Sequence, residues 1–306
     1  MINRESEFDE PVESAYSHTV LELGFENVKP SLRADFKNLE KAHDAIHEFM
    51  LLAPKLFPSH VAKEIGWHRR SAFLIYQWEA FHHAHRSLIE ALCAYYNVAF
   101  ILLRVTFELL IKGAFWECLA HREFRENSQV LDGEKAGREI KKWLDDIFKL
   151  APHVEEEFEE ASAGIYDKIG PIVEDSNFRL TIKTIIRQLD QWDIFNPVSD
   201  PIASIYRGIY GRLSADVHVE PDRTDIGKRL LLEKEIFEQK ILPNTLAEYT
   251  HCLHEVIDLA IVVELNIMRD LIEKYDEAKT NLRERLDVLE QLGLEYSLTR
   301  AKKLLR

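Results

Sequence analysis

This sequence predicts an all-α fold, a multi-helix bundle with long central and C-terminal helices, and three observations carry that prediction. Apolar residues recur at three- and four-residue intervals through most of the chain, and no stretch of strict alternation marks a strand. Glycine and proline number only 11 and 10 in 306 residues, too few for the many tight turns of a sheet protein. The chain is 46% hydrophobic and carries 16 Phe, 10 Tyr and 5 Trp, enough to fill a substantial core.

The elements follow in order. Residues 1–30 read as a peripheral N-terminal arm, 31–130 as the first part of a helical core, and 131–170 as a peripheral helical insertion. Residues 171–275 form the second part of the core and 276–306 a C-terminal helical extension. From Ser31 to Leu52 the residues Leu32, Phe36, Leu39, Ala42, Ile46 and Phe49 share one helix face, and Pro54 and Pro58 interrupt the pattern. SHVAKEIG reads as a short helix, and a longer one runs from about Trp67 to Ala91. A third, from Ala94 to His121, is apolar nearly all round and is therefore expected between neighbours. REFRENSQVLDGEKAG reads as a turn region, with helices over 136–149 and 153–168. In FRLTIKTIIRQLDQWDIF, Leu180, Ile182, Ile185, Ile186 and Leu189 leave a polar opposite side, which favours a helix over a strand. Pro201 suits the first turn of a helix reaching Asp216 or His218. RTDIGKRLLLEKEIFEQKIL supplies a connector and a helical piece. After Pro243, LAEYTHCLHEVIDLAIVVELNIMRDLIEKY is a long amphipathic helix. In the tail, Leu282, Leu286 and Leu289 form a short packing stripe.

A formal net charge of −14 argues against general coating of nucleic acid, which needs many Lys and Arg near phosphates, though not against a local basic cleft. Cys93, Cys118 and Cys252 form no short paired motif, so neither a disulfide scaffold nor a cysteine zinc knuckle is expected. The acidic N-terminus lacks the basic start and apolar centre of a signal peptide, and no uncharged apolar run reaches membrane-spanning length. A cytoplasmic protein without membrane contact is the expectation. No phosphate-binding loop, dinucleotide fingerprint or HExxH zinc signature occurs, and no cofactor is assigned.

Two polar features stand out. In LLRVTFELLIKGAFW, Arg104, Glu108 and Lys112 are spaced four apart along one face of the most apolar helix. A charge there needs a partner or a cleft. It serves either as an internal Arg–Glu network or as an anion site in which Glu108 orients Arg104. The second feature is IYGRLSADVHVEP at 209–221. Arg212 and Asp216 face the same side of a continuous helix, and Pro221 bends Glu220 away from helical geometry, so the helix ends near His218. A helix end with an Arg212–Asp216 pair is the structural reading.

The pattern Arg212-Leu-Ser-Ala-Asp-Val-His218, together with LLRVTFELL, resembles the HEPN (higher eukaryote and prokaryote nucleotide-binding) superfamily, in which an Arg is followed by a His after four to six residues. The resemblance is to helical, defence-associated relatives, and it covers the central and C-terminal core. It implies a metal-independent RNA endonuclease or toxin-related protein, acting as a homodimer, with Arg212 and His218 catalytic. His218 would move the proton of the ribose 2′-hydroxyl, Arg212 and Arg104 would stabilise the charged transition state, and Asp216 would orient Arg212. Arg104, Arg212 and His218 are then expected to line one cleft. The alternative is a non-catalytic module that binds RNA or protein.

A helical-bundle metal protein is the remaining reading. Glu40–His43, Asp44–His47, Glu79–His82 and Glu248–His251 share the acid-x-x-His spacing that, on facing helices, builds dinuclear sites, with Glu48 and Glu108 as conceivable additions. Random placement of 53 acids and 13 histidines gives about two such coincidences, so four carry little weight and no residue is assigned as a metal ligand. HHAHR at 82–86 and the stripe His251, His254, Glu255, Asp258 read as solvated faces.

Overall fold

The computed structural model describes residues 13–15, 17, 24–57, 71–150, 180–217 and 240–306, with the side chains of 122, 143–150 and 216–217 outside the description. Within those residues the fold is an all-α bundle without strands. Four long helices build its centre: α2 (Phe36–Leu56), α3 (Ala72–Leu92), α4 (Tyr96–Ala120) and α10 (Pro243–Ile267). Before α2, a 3-10 turn at Phe25–Asn27 leads into α1 (Val28–Ala34). After α4 come α5 (Arg122–Glu126), α6 (Gln129–Gly133), α7 (Lys135–Leu150) and α8 (Ile182–Gln191). A π-helical segment, Ile202–Tyr210, then runs directly into α9 (Gly211–Val217). Beyond α10 the chain forms α11 (Arg269–Lys274), α12 (Asp276–Gln291) and α13 (Glu295–Leu304).

The apolar spacing explains these elements. Helix α2 buries Leu39, Ala42, Ala45, Ile46, Phe49, Leu52 and Leu56 along one face. Pro54 does not end it: the helix continues to Leu56, because a proline in the last turn forfeits one hydrogen bond where few remain to be made. Helix α4 is buried on nearly every side, as its composition predicts. Helix α3 starts at Ala72, where Ser71 accepts from the Leu74 amide, later than the Trp67 expected. The turn region expected at 122–137 instead holds two short helices, α5 and α6, the second capped by Ser128 and tied by the Gln188 side chain, which accepts from the Val130 amide. The helix from Pro201 is present to Val217, its first part wound as a π-helix. Met268 splits the long helix after Pro243 into α10 and α11. In α12, Leu282 and Leu289 are fully buried and Leu286 packs against the core. SHVAKEIG, 153–168 and 221–239 lie outside the described residues.

Two consecutive hairpins set the geometry that matters below. Gln77 of α3 donates to the Phe49 carbonyl of α2 at 2.7 Å, while His85 meets His47 further along, so the two helices run antiparallel. Helix α4 returns along α3. Its buried Glu117 accepts from Ser71 Oγ at 2.9 Å and the Phe73 amide at 3.0 Å, holding the start of α3. Gly113 lets the two backbones approach, since a Cβ there would stand 2.6 Å from the Tyr76 Cβ. Among the described residues no helix is long and apolar enough to cross a membrane.

Candidate metal centre

The arginine stripe of α4 is a closed network. Arg104 Nε donates to Glu108 Oε1 at 3.0 Å, and Lys112 Nζ stands 3.5 Å from Glu108 Oε2. A partner not evident from the sequence completes it: Arg104 Nη2 donates to the Tyr210 hydroxyl at 2.9 Å, and that hydroxyl donates to Glu108 Oε1 at 3.3 Å. The guanidinium carbon also lies 5.0 Å from the centre of the Tyr210 ring. Tyr210 closes the π-helical segment, where it stacks on Tyr206 and leans on Phe107. Glu108 and Tyr210 thus hold the Arg104 guanidinium between them.

Two residues beyond Tyr210, Arg212 pairs with Glu255 of α10. Its carboxylate partner thus comes from another helix. Glu255 Oε1 lies 3.7 Å from His251 Nε2 as well. Asp216 sits in the last turn of α9, with its side chain outside the description, and His218 lies outside the described residues altogether. The expected meeting of Arg104, Arg212 and His218 is thus not part of the described structure, and both arginines already face a carboxylate.

The convergence the structure does contain is of imidazoles. His43 and His47 lie one turn apart on α2, and His85 faces them from α3. His47 Nε2 stands 3.2 Å from His43 Nε2 and 3.2 Å from His85 Nε2, and one ligand atom from each ring falls within 4.8 Å of the others. Phe81 forms the apolar side of the cluster, its ring centre 4.3 Å from that of His85 and 5.8 Å from that of His47. His43 and His47 are exposed and His85 is half-buried, so the group opens on the surface along the α2–α3 groove.

Hydrogen bonds at Nδ1 orient two of the three rings. His85 Nδ1 is 3.2 Å from the Phe81 carbonyl, which can only accept, so Nδ1 carries the hydrogen and Nε2 of the neutral ring presents its lone pair. His43 Nδ1 is 3.3 Å from Asp44 Oδ1, which orients the ring. Three imidazole rings thus converge through their Nε2 atoms. Burial lowers the pKa of His85, and the neighbouring charges of His47, His43 and His82 lower it further against the Phe81 hydrogen bond, so the ring favours its neutral, ligating form.

The carboxylates suggested by acid-x-x-His spacing do not take part. Glu79 pairs with His83 at 3.2 Å rather than serving His82. Glu48 is buried and held by Arg285 of α12, and Glu108 belongs to Arg104 and Lys112. Glu79, His82, Glu248 and His251 form no common group among the described residues. The signal available in the sequence was the His43–His47 spacing on one helix face. Its third member depends on the α2–α3 register.

Comparison with protein-family models, curated proteins and solved structures yields no match to this chain.

Proposed function

We propose that this protein is a helical-bundle metal-binding protein whose His43, His47 and His85 hold one first-row transition-metal ion. The convergence of three Nε2 atoms, on rings of which two are oriented through Nδ1, carries the reading. Two of the three spacings, at 3.2 Å, suit the edge of a tetrahedral nitrogen shell, and the third lies within 4.8 Å. With metal–nitrogen bonds of 2.0–2.1 Å that edge is about 3.4 Å. An all-imidazole set selects zinc, copper, nickel or cobalt over magnesium and calcium, which take oxygen ligands. Calorimetric titration of the chelator-treated full chain with Zn2+ tests it. One equivalent should bind, and His47→Ala should abolish stoichiometric binding. The absence of a stoichiometric zinc isotherm in the wild-type protein refutes the reading.

One observation supports a second reading, metal-independent RNA cleavage through Arg212 and His218. Tyr210 links Arg104 to the segment that continues into Arg212, which places the two elements of the HEPN-like resemblance side by side. The pairing of both arginines with carboxylates weighs against an anion site there. An RNA turnover assay of wild type against His218→Ala decides it, and equal turnover removes the catalytic role of His218.

A further inference from the structure

Resting on the metal reading, we infer that His82 supplies the fourth ligand, so that the centre is a closed four-imidazole clamp between α2 and α3 and not an open catalytic one. His82 precedes His85 by three residues on α3, one of the two spacings that put helix side chains next to each other. An i,i+3 imidazole pair on α3 then faces an i,i+4 pair on α2. His82 also belongs to the same local cluster: its ring centre lies 5.6 Å from that of Phe81, the ring that His47 and His85 both contact.

The neighbours of His82 are committed elsewhere. His83 pairs with Glu79, and Asp44 meets the Nδ1 side of His43, where it orients the ring and does not compete for the ion. His82 itself is exposed and makes no hydrogen bond or ion pair with the described residues. Its nitrogens stand outside the group formed by the other three. The clamp requires this solvent-facing side chain to change rotamer and bring a nitrogen to the ion. Metal sites with four protein ligands are structural, whereas those with three keep a water or substrate position. Here the ion would join two helices whose connection spans residues 58–70.

The test is a Co2+ titration of the chelator-treated full chain, followed by visible absorption, with His82→Ala and His47→Ala in parallel. Wild type should bind one Co2+ with the intense bands of a four-coordinate centre, unchanged by added thiocyanate. His82→Ala, a substitution at an exposed position, should keep its helical circular dichroism and still bind. Its affinity should fall by about 100-fold, the upper end of what loss of a ligand's supporting partner costs. Thiocyanate should alter its spectrum, because the fourth position is now open. Equal affinity in His82→Ala, or a wild-type spectrum that responds to thiocyanate, overturns the closed clamp and leaves the three-histidine site standing. No Co2+ binding by wild type sinks the metal reading itself.

Discussion

Glu264 lies at the centre of the bundle on α10, fully buried, and neither carboxylate oxygen makes a hydrogen bond of normal geometry among the described residues. The Gln77 side chain and the Ala53 backbone lie near it, as does another buried acid, Glu48. Burial therefore pushes the Glu264 carboxyl well above the ordinary glutamate range, and Glu48 pushes in the same direction, against partial relief from Gln77. The folded protein keeps a proton there that the unfolded chain releases above about pH 4.3. Stability from this group is complete below that unfolded value and is lost as pH rises toward the folded pKa. The loss is about 1.4 kcal/mol for each pH unit, one proton's worth of linkage.

Glu264→Gln removes the titration while keeping the shape. Urea denaturation of both proteins at intervals from pH 4 to 8 gives two curves of stability against pH. Between the unfolded and folded pKa values, the wild-type curve should fall relative to the variant by about 1.4 kcal/mol per unit. Below about pH 4 the two should run parallel. The slope difference is the readout, because the new amide also changes absolute stability through its own unmet hydrogen bonds. Parallel curves across the whole range would mean that Glu264 does not hold a proton in the folded state.

Other substitutions test the packing around the same core. Arg285→Ala leaves Glu48 buried without its cation and should cost about 3–5 kcal/mol in urea denaturation, whereas replacing both residues with apolar ones of similar size should cost far less. Asp258 accepts from the Tyr296 and Ser297 amides at 3.0 and 2.9 Å and so caps α13 from α10. Asp258→Ala should cost about 2–3 kcal/mol and speed proteolysis within 295–306. Gly113→Ala drives a methyl group toward Tyr76 and should lower stability by about 1–3 kcal/mol, and an unchanged midpoint there refutes the close α3–α4 approach.

The helices themselves were legible because burial writes a 3.6-residue period into the chain. Leu282 and Leu289 of α12 and the all-round apolar surface of α4 ended where that period placed them. Boundaries were less so. Pro54 looks like a stop, but whether a proline stops a helix depends on how many turns follow it. The π-helical winding of Ile202–Tyr210 has no pattern in the sequence that distinguishes it from an α-helix, yet it aims Tyr210 at Arg104.

The candidate sites divide along the same line. Arg104–Glu108 is a contact within one helix, four residues apart, and spacing alone revealed it. Arg212 invited the same reasoning toward Asp216, whose side chain lies outside the description, and among the described residues it pairs with Glu255 on α10, a partner that spacing could not reveal. The histidines show the limit most clearly. The spacing that looked suggestive paired each imidazole with an acid three residues away, and surface acids find other partners, as Glu79 does with His83. What brings His85 to His43 and His47 is the antiparallel register of α2 and α3. That register is fixed by large buried side chains such as Phe49 and Phe73, together with the Gln77–Phe49 hydrogen bond. The convergence of the imidazoles is therefore a consequence of core packing: a change that slides α3 by one turn along α2 would separate them without touching any of them.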